Sequence, residues 1–351
     1  MLVNNFYSSA SDPCGISIFS RHLRQALSPF GLDLLETNLA IATGASATPI
    51  SVLQYVPSGF ATPETSRALL QLLASRKEAD RLFVILHGLH KYGEDRWLDD
   101  TACPDQELHI NAILQTAESI IALSKSAEVT CNAWQEILGG RASLLRIDHP
   151  GLFELPAEAA ASHGFYALLG GISRSKKTHT ADPIAALLDA CRREGVRVWE
   201  HWANVQPLAK TAPAWRRTFG LLSDSEWASL VSHALVVLCP YRTHIQSVSG
   251  LVSEALSAQR YVLSTSFDLA VEMNRRYPDL VTIDDDLSDW PRLIRHLLPA
   301  SVHSATSIPT WRSFAESFAK ELCPDRFRMA IGPMRDFRRR ARWRTGIVER
   351  S

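Results

Sequence analysis

The residues best suited to chemistry lie between Ser232 and Glu254, in the stretch SHALVVLCPYRTHIQSVSGLVSE. The apolar run Ala234 to Leu238 has the length and branching of a buried strand, and Pro240 stops it. A loop of small and polar residues follows, with Ser247, Ser249 and Gly250, and then a helix carrying Glu254 in its first turns. A strand, a small-residue loop and a helix start can hold a phosphate. Backbone N–H groups reach the anion, and the helix N-terminus carries a partial positive charge. Glu254 would lie beside the same pocket, where a carboxylate accepts hydrogen bonds from ribose hydroxyls. The same residues also fit an ordinary β-loop-α connection capped by Ser249, and the stretch alone does not choose between the two.

The elements that would position this loop alternate along nearly the whole chain. Strand-like segments are read at Met1 to Val3, Ser51 to Val56, Arg81 to Leu86, Ile120 to Leu123 and Leu144 to Ile147. Helical spacing is read at Ile16 to Leu27, Glu64 to Ala74, Ala112 to Ser119 and Ala127 to Ile137. The second half repeats the pattern, with strands at Phe165 to Leu169, Arg197 to Trp199, Leu235 to Leu238, Tyr261 to Ser264 and Val281 to Ile283. Its helices are read at Asp182 to Arg193, Asp224 to Ser232 and Leu251 to Ala258. Alternating β and α predicts parallel sheets with helices on both faces. Two such sets predict two Rossmann-like domains with a cleft between them. The boundary is expected in HPGLFELPAEAAASH, residues 149–163, which has two prolines and leads into a new strand.

Length and composition set bounds. A chain of 351 residues fits two ordinary domains. Lys plus Arg number 37 and Asp plus Glu 37, so the charge balance argues against a nucleic-acid partner. The six cysteines are scattered without a C-x-x-C pair and read as reduced thiols of a cytoplasmic protein. No secretory signal is read at the start and no run has the length of a membrane span. Asp284, Asp285 and Asp286 look like a metal-binding D-x-D but fit a surface loop or helix cap better. The tryptophans at 199, 202 and 215 read as core by default, with an acceptor groove as the second reading. From Arg335 to Arg350 the chain is arginine-rich, with Phe337, Trp343 and Ile347 interleaved. That reads first as a solvated end and second as a segment for an anionic membrane surface.

Several segments in order resemble the retaining nucleotide-sugar glycosyltransferases of family 4, which have the two-domain GT-B fold. They are DPCGISIFSRHLRQAL, with Phe19 four residues after Gly15; FVILHGLH, with His87 just after a strand; IIALSKSAEV; RIDHPGLFE; ALLGGISRSKKTHTADPIAALLDA; FGLLSDSEWASLVSHALVVLCPYR; QSVSGLVSEALSAQRYVLST; and PTWRSFAESFAKEL. Together they run from residue 12 to 322; no one of them is specific, and the ordered set carries the likeness.

The resemblance implies an acceptor-binding domain over 1–155 and a donor-binding domain over 156–322, and composition marks off an Arg-rich tail over 323–351. It implies that Gly15 lines the cleft, that His87 contacts the transferred sugar, that Lys176 neutralises the diphosphate and that Glu254 holds the nucleotide ribose. Gly170, Arg174, Ser249, Gly250 and Leu251 complete the implied donor site. No cofactor and no bound metal are implied: cations and N–H donors would stabilise the charge that builds on the leaving diphosphate. The partners implied are a nucleotide-sugar donor and a glycan or lipid-linked acceptor, with the protein in the cytoplasm; the second reading of the Arg-rich end, taken from its composition, adds a peripheral place at the inner face of the membrane.

The chain departs from the family pattern at two places. Gln246 stands where the first of two glutamates eight positions apart belongs, and it can hydrogen-bond but cannot carry charge. Gly171 stands where an arginine often follows Gly170, and Arg174 is the substitute cation. These departures leave a rival: a GT-B-shaped nucleotide-sugar-binding or assembly protein without catalysis. A third reading is an unrelated two-domain α/β enzyme such as a nucleotide-sugar epimerase. A G-x-G-x-x-G after the first strand would favour a dinucleotide enzyme, and none occurs near the N-terminus.

Overall fold

The computed structural model describes residues 1–8, 14–39, 49–76, 79–89, 103–154, 166–171, 181–203, 215–241, 248–297 and 307–324. Lys176, Arg174, Gln246, His244 and the Arg-rich stretch lie outside them.

The first half runs β1 (Leu2–Tyr7), α1 (Gly15–Leu27), β2 (Asp33–Asn38), β3 (Ile50–Tyr55), α2 (Pro63–Ala74), β4 (Arg81–Leu86), α3 (Gln106–Thr116), β5 (Ser119–Ala122), α4 (Lys125–Leu138) and β6 (Ser143–Arg146). The second runs β7 (Tyr166–Gly171), α5 (Ala181–Arg193), β8 (Val198–Trp202), β9 (Arg216–Phe219), α6 (Asp224–Ser232), β10 (Ala234–Cys239), α7 (Gly250–Ser257), β11 (Tyr261–Ser264), α8 (Asp268–Arg276), β12 (Val281–Ile283), α9 (Trp290–His296) and α10 (Trp311–Leu322).

The strands form two six-stranded sheets, ordered β2-β1-β3-β4-β5-β6 and β12-β11-β10-β7-β8-β9. Every pairing between neighbouring strands is parallel, as in the β1–β2, β3–β4 and β10–β11 registers. Each order reverses beside the strand that opens its half, and ligands of open α/β sheets bind at that reversal, beyond the strands' carboxyl ends. Central strands read as near-continuous apolar runs because both faces are covered: Leu82 to Leu86 of β4 and Val236 to Leu238 of β10 are at most 1% exposed.

The last helix ties the halves together. α10 returns to α1, and its Trp311, Phe314, Phe318 and Leu322 join Phe19, Leu23 and Leu27 in the first half's core. The region expected as the donor domain thus supplies, in its final helix, part of the first core. Thr310 starts α10 by accepting from the Ser313 N–H at 3.1 Å. Burying one ring such as Phe314 contributes about 2–3 kcal/mol, so the returning helix is held mainly by its apolar face.

Polar contacts join the halves as well. The Glu272 carboxylate of α8 accepts from the backbone N–H groups of Lys125 and Ser126 at 3.2 and 3.1 Å and from the Ser126 hydroxyl at 3.0 Å. These donors open α4, where a helix has N–H groups without internal partners and a favourable dipole for a carboxylate. Asp224, at the start of α6, accepts from Arg21 and His22 of α1, both at 2.9 Å. Arg276 donates to Asp148 at 2.8 Å and to Ser307 at 2.7 Å. Among the described residues no helix is long and apolar enough to cross a membrane.

Some expected bounds move. The helix expected from Ala112 begins at Gln106 and ends at Thr116, and Ser119 opens β5 instead. Its buried face includes Gln106 and His109, which broke the apolar spacing. Strand β1 continues through Asn4 and Asn5, both buried, well past Val3.

Candidate functional site

The carboxyl ends of the two sheets carry the residues the sequence singled out. In the first half, His87 follows β4 directly and its Nε2 lies 2.6 Å from Gln54 Oε1. The Gln54 amide donates to Asn5 Oδ1 at 3.1 Å. With Gln54 Oε1 accepting, His87 carries its proton on Nε2 and Nδ1 is the acceptor nitrogen. Gln54 and Asn5 are both fully buried, so a polar ladder across β1, β3 and the end of β4 orients the ring. Phe19, on the first turns of α1, meets His87 edge-on with ring centres 4.6 Å apart. Gly15 is exposed at the first position of α1, behind Cys14, whose sulfur and backbone pair with Ser17 in a capping box.

Phe19 links His87 to a second imidazole. His149 lies 5.3 Å from it, ring centre to ring centre, just after β6. His149 Nδ1–H donates to the Pro150 carbonyl at 2.6 Å, which leaves Nε2 as the acceptor. Burial pushes this imidazole down to about 4; the Pro150 bond works against that and nearby His22 adds to it. His149 is therefore neutral at pH 7. His149 opens the segment expected as the domain boundary, and the structure sets its ring against the start of α7.

In the second half, α7 begins at Gly250, as the sequence led one to expect within one residue. A Cβ at Gly250 would stand 3.5 Å from His149 Cε1, 3.7 Å from its Nε2 and 3.9 Å from Glu254 Oε1. The start of α7 thus lies between an imidazole of one half and a carboxylate of the other, in contact range of both. Leu251 follows, buried in the second core. Ser249 occupies the cap position, but its side chain makes no capping bond; its hydroxyl pairs with the Tyr241 hydroxyl at 2.9 Å, deep in the core. The reading of Ser249 as a side-chain cap is therefore corrected. The α7 N–H groups are not engaged by Ser249 Oγ.

Glu254 Oε2 accepts from the Trp227 indole N–H of α6 at 2.9 Å. Trp227 in turn faces His201, ring centres 5.8 Å apart, at the end of β8. His201 pairs with Thr218 Oγ1 at 2.9 Å, and burial holds it below the ordinary imidazole range. Nothing in the sequence spacing announced the Trp227–Glu254 bond, because the partners lie on different helices.

Gly170 has a structural duty. A Cβ there would sit 2.4 Å from the His201 carbonyl oxygen across the β7–β8 pairing. Gly171 adopts φ of +139°, which an L side chain rarely takes, so the arginine expected there by resemblance would be strained. Of the three tryptophans, Trp202 is fully buried and donates to Glu200, Trp199 packs under Arg216 at 4.1 Å, and Trp215 is 53% exposed. The aspartates 284–286 form a turn. Asp285 accepts from Ser266 N–H and Oγ–H, and Asp286 from the N–H and Oγ–H of Ser288. Among the described residues no cluster of metal-ligating side chains occurs.

No family model and no curated protein matches this sequence. Solved structures do match in fold. One is WaaG, a glycosyltransferase involved in lipopolysaccharide biosynthesis: 13% identity over 92% of this chain and 100% of that one, TM-score 0.51. Another is a glycosyltransferase from Rickettsia africae ESF-5, at 10% identity over 94% and 96%, TM-score 0.52. A third is the UDP-GlcNAc 2-epimerase from Methanocaldococcus jannaschii, at 10% identity over 91% and 98%, TM-score 0.52. At such identity the likeness speaks for the fold. The chain has the GT-B arrangement of two Rossmann-like domains, each built on a parallel sheet.

Proposed function

We propose that this chain is a retaining glycosyltransferase that moves a sugar from a nucleotide-diphosphate sugar to a glycan or lipid-linked acceptor. The observation that carries the reading is the start of α7 at Gly250, where His149 of one half and Glu254 of the other both stand within 4 Å of the position a Cβ would take. The start of α7 offers N–H groups and a helix dipole to a diphosphate. Glu254 Oε2 accepts from Trp227 and Oε1 faces the Gly250 side, where the reading places the ribose hydroxyls. Neutral His149 places an acceptor nitrogen, not a positive charge, near the anion. Cationic stabilisation of the leaving diphosphate then falls to Lys176 and Arg174, and Gln246 supplies a hydrogen bond to the sugar in place of a carboxylate. His87, held by Gln54, directs Nδ1 as an acceptor for a hydroxyl of the transferred sugar. The proposal needs no metal, and the Arg-rich tail would hold the protein peripherally at an anionic membrane surface beside a lipid-linked acceptor.

The GT-B likeness to an epimerase favours a second reading, a nucleotide-sugar epimerase working in the same cleft. Loss of the charge at Gln246 favours a third, a binding protein without turnover. Thermal-shift titration with uridine, guanosine, adenosine and thymidine diphosphates, with Glu254→Ala as control, tests the site. A shift with one nucleotide that is lost in the variant supports the pocket. Product analysis with the matching nucleotide sugars, with and without acceptor pools, then separates transfer, epimerisation and simple binding. No shift with any nucleotide would overturn all three.

A further inference from the structure

We propose that the cavity between α2 and the start of α3 is a second binding site, one for a small aliphatic α-amino acid. Its volume is about 480 Å³, within the range of about 300–1,000 Å³ typical of small-molecule pockets. Among the described residues α2 supplies one wall, with Pro63, Arg67, Leu70 and Ala74 at helical spacing on one face, and Asp105 stands opposite. Arg67 and Asp105 bring opposite charges to this one cavity, yet among the described residues neither has an ion-pair partner. An α-amino acid carries both missing partners. Its ammonium group suits the Asp105 carboxylate, and its carboxylate can take the Arg67 guanidinium in a forked pair. Pro63, Leu70 and Ala74 offer its side chain an apolar wall. None of these residues belongs to the donor site proposed above, so the two readings stand or fall separately.

Asp105 ends a chain of hydrogen bonds that begins in the core. A carboxylate only accepts, so the Ser66 hydroxyl donates to its Oδ2. The Ser66 oxygen then accepts from His109 Nε2–H, 2.9 Å away. His109 is fully buried, and burial, opposed by the nearby Asp105 charge, holds its imidazole below the ordinary value. The ring is therefore neutral at pH 7 with its proton on Nε2, and Nδ1 accepts from the Tyr55 hydroxyl at 3.4 Å. The Cys103 thiol, also near Nδ1, donates to the Phe60 carbonyl at 3.5 Å. Every donor of the chain thus points the same way, from Tyr55 through His109 and Ser66 to Asp105, and each bond polarises the next. The chain fixes an anionic group at the cavity wall and uses one of its two oxygens; the side chain has no other hydrogen bond among the described residues.

The test uses the full chain and calorimetric titration with three probes. They are L-leucine, L-leucinamide, in which an amide replaces the carboxylate, and 4-methylpentanoate, which lacks the ammonium group. Wild type is expected to bind L-leucine with a Kd of about 1 mM or tighter, within reach of a ligand of that size. Each single-charge probe is expected to bind about tenfold more weakly or worse, the scale of a hydrogen bond to a charged group. Asp105→Asn keeps an oxygen for Ser66 and removes the charge. It should erase the preference for L-leucine over 4-methylpentanoate and keep that over L-leucinamide. Arg67→Gln, at an exposed position of α2, should do the converse. Crossed losses of this kind assign each charge of the ligand to one residue. Wild-type binding without either preference, variants that keep both, or no binding of L-leucine at about 10 mM would each overturn the proposal.

Discussion

Lowering the pH should destabilise the fold through His149. Its ordinary value is 6.5 and burial takes it to about 4 in the folded chain. The folded value is the lower one, so the unfolded chain binds a proton first as the pH falls. Above pH 6.5 neither state is protonated and the contribution is fully present. It is lost as the pH falls from 6.5 toward 4, and below 4 nothing more is lost. At about 1.4 kcal/mol per pH unit, the loss is about 2 kcal/mol at pH 5 and about 3 kcal/mol at pH 4. A chain of 351 residues unfolds with an entropy of about 0.7 kcal/mol per degree, so 2 kcal/mol is about 3 °C in Tm. The assay is the Tm of wild type and His149→Gln from pH 7.5 to 4.5. Glutamine does not titrate, so the difference between the two curves isolates one imidazole from His22, His109 and His201, all also held low by burial. The variant should lose less Tm than wild type on acidification, by about 3 °C at pH 5. Parallel curves would refute the burial of a neutral imidazole against Phe19 and α7.

Two further outcomes test other parts. Gly170→Ala drives a Cβ into the His201 carbonyl at 2.4 Å, a backbone group that cannot swing away. Overpacking of this kind costs about 1–3 kcal/mol; a drop in Tm below about 1 °C would mean that β7 and β8 adjust freely. Asp224→Asn weakens a partly exposed contact, Arg21 being 41% exposed, so only about 0.2–1 kcal/mol is at stake. The Tm difference from wild type should shrink in 1 M NaCl, and a difference indifferent to salt would argue against a charge contact.

What could be read from the sequence was what apolar runs announce. β4, β11 and β12 have the bounds expected, because Leu82 to Leu86, Val262 to Leu263 and Val281 are buried on both faces. β9, the edge strand RRTF, escaped because its four residues are exposed or half-exposed and two are arginines. β8 was read as ending three residues early because Glu200 and His201 are polar, yet both are buried. Glu200 is satisfied by Arg217 at 2.6 Å and Trp202 at 2.7 Å, His201 by Thr218. α8 and α9 went unread as well. α8 carries three buried residues among charged ones, and Pro291 stands at the start of α9. In the site, the Gly250 turn and Glu254 were legible as a loop and a helix start. His149 against Gly250 and Trp227 against Glu254 were not, since each pair is brought together by tertiary packing and no spacing along the chain encodes it.

The carboxylate of Glu272 has a consequence for how the cleft moves. It accepts on both oxygens from two consecutive N–H groups at one helix start, and on one of them from the Ser126 hydroxyl as well. Such a contact works as an angular stop: a small swing of one domain breaks both bonds together, whereas a greasy surface would let it slide. The hinge between the domains therefore has a preferred bearing, written in backbone geometry, and leaving it exchanges protein bonds for water at little net cost. Opening would then break the Glu272 contact together with the Asp224 and Arg276 contacts, so Glu272 is one of several latches set away from the residues that touch the sugar.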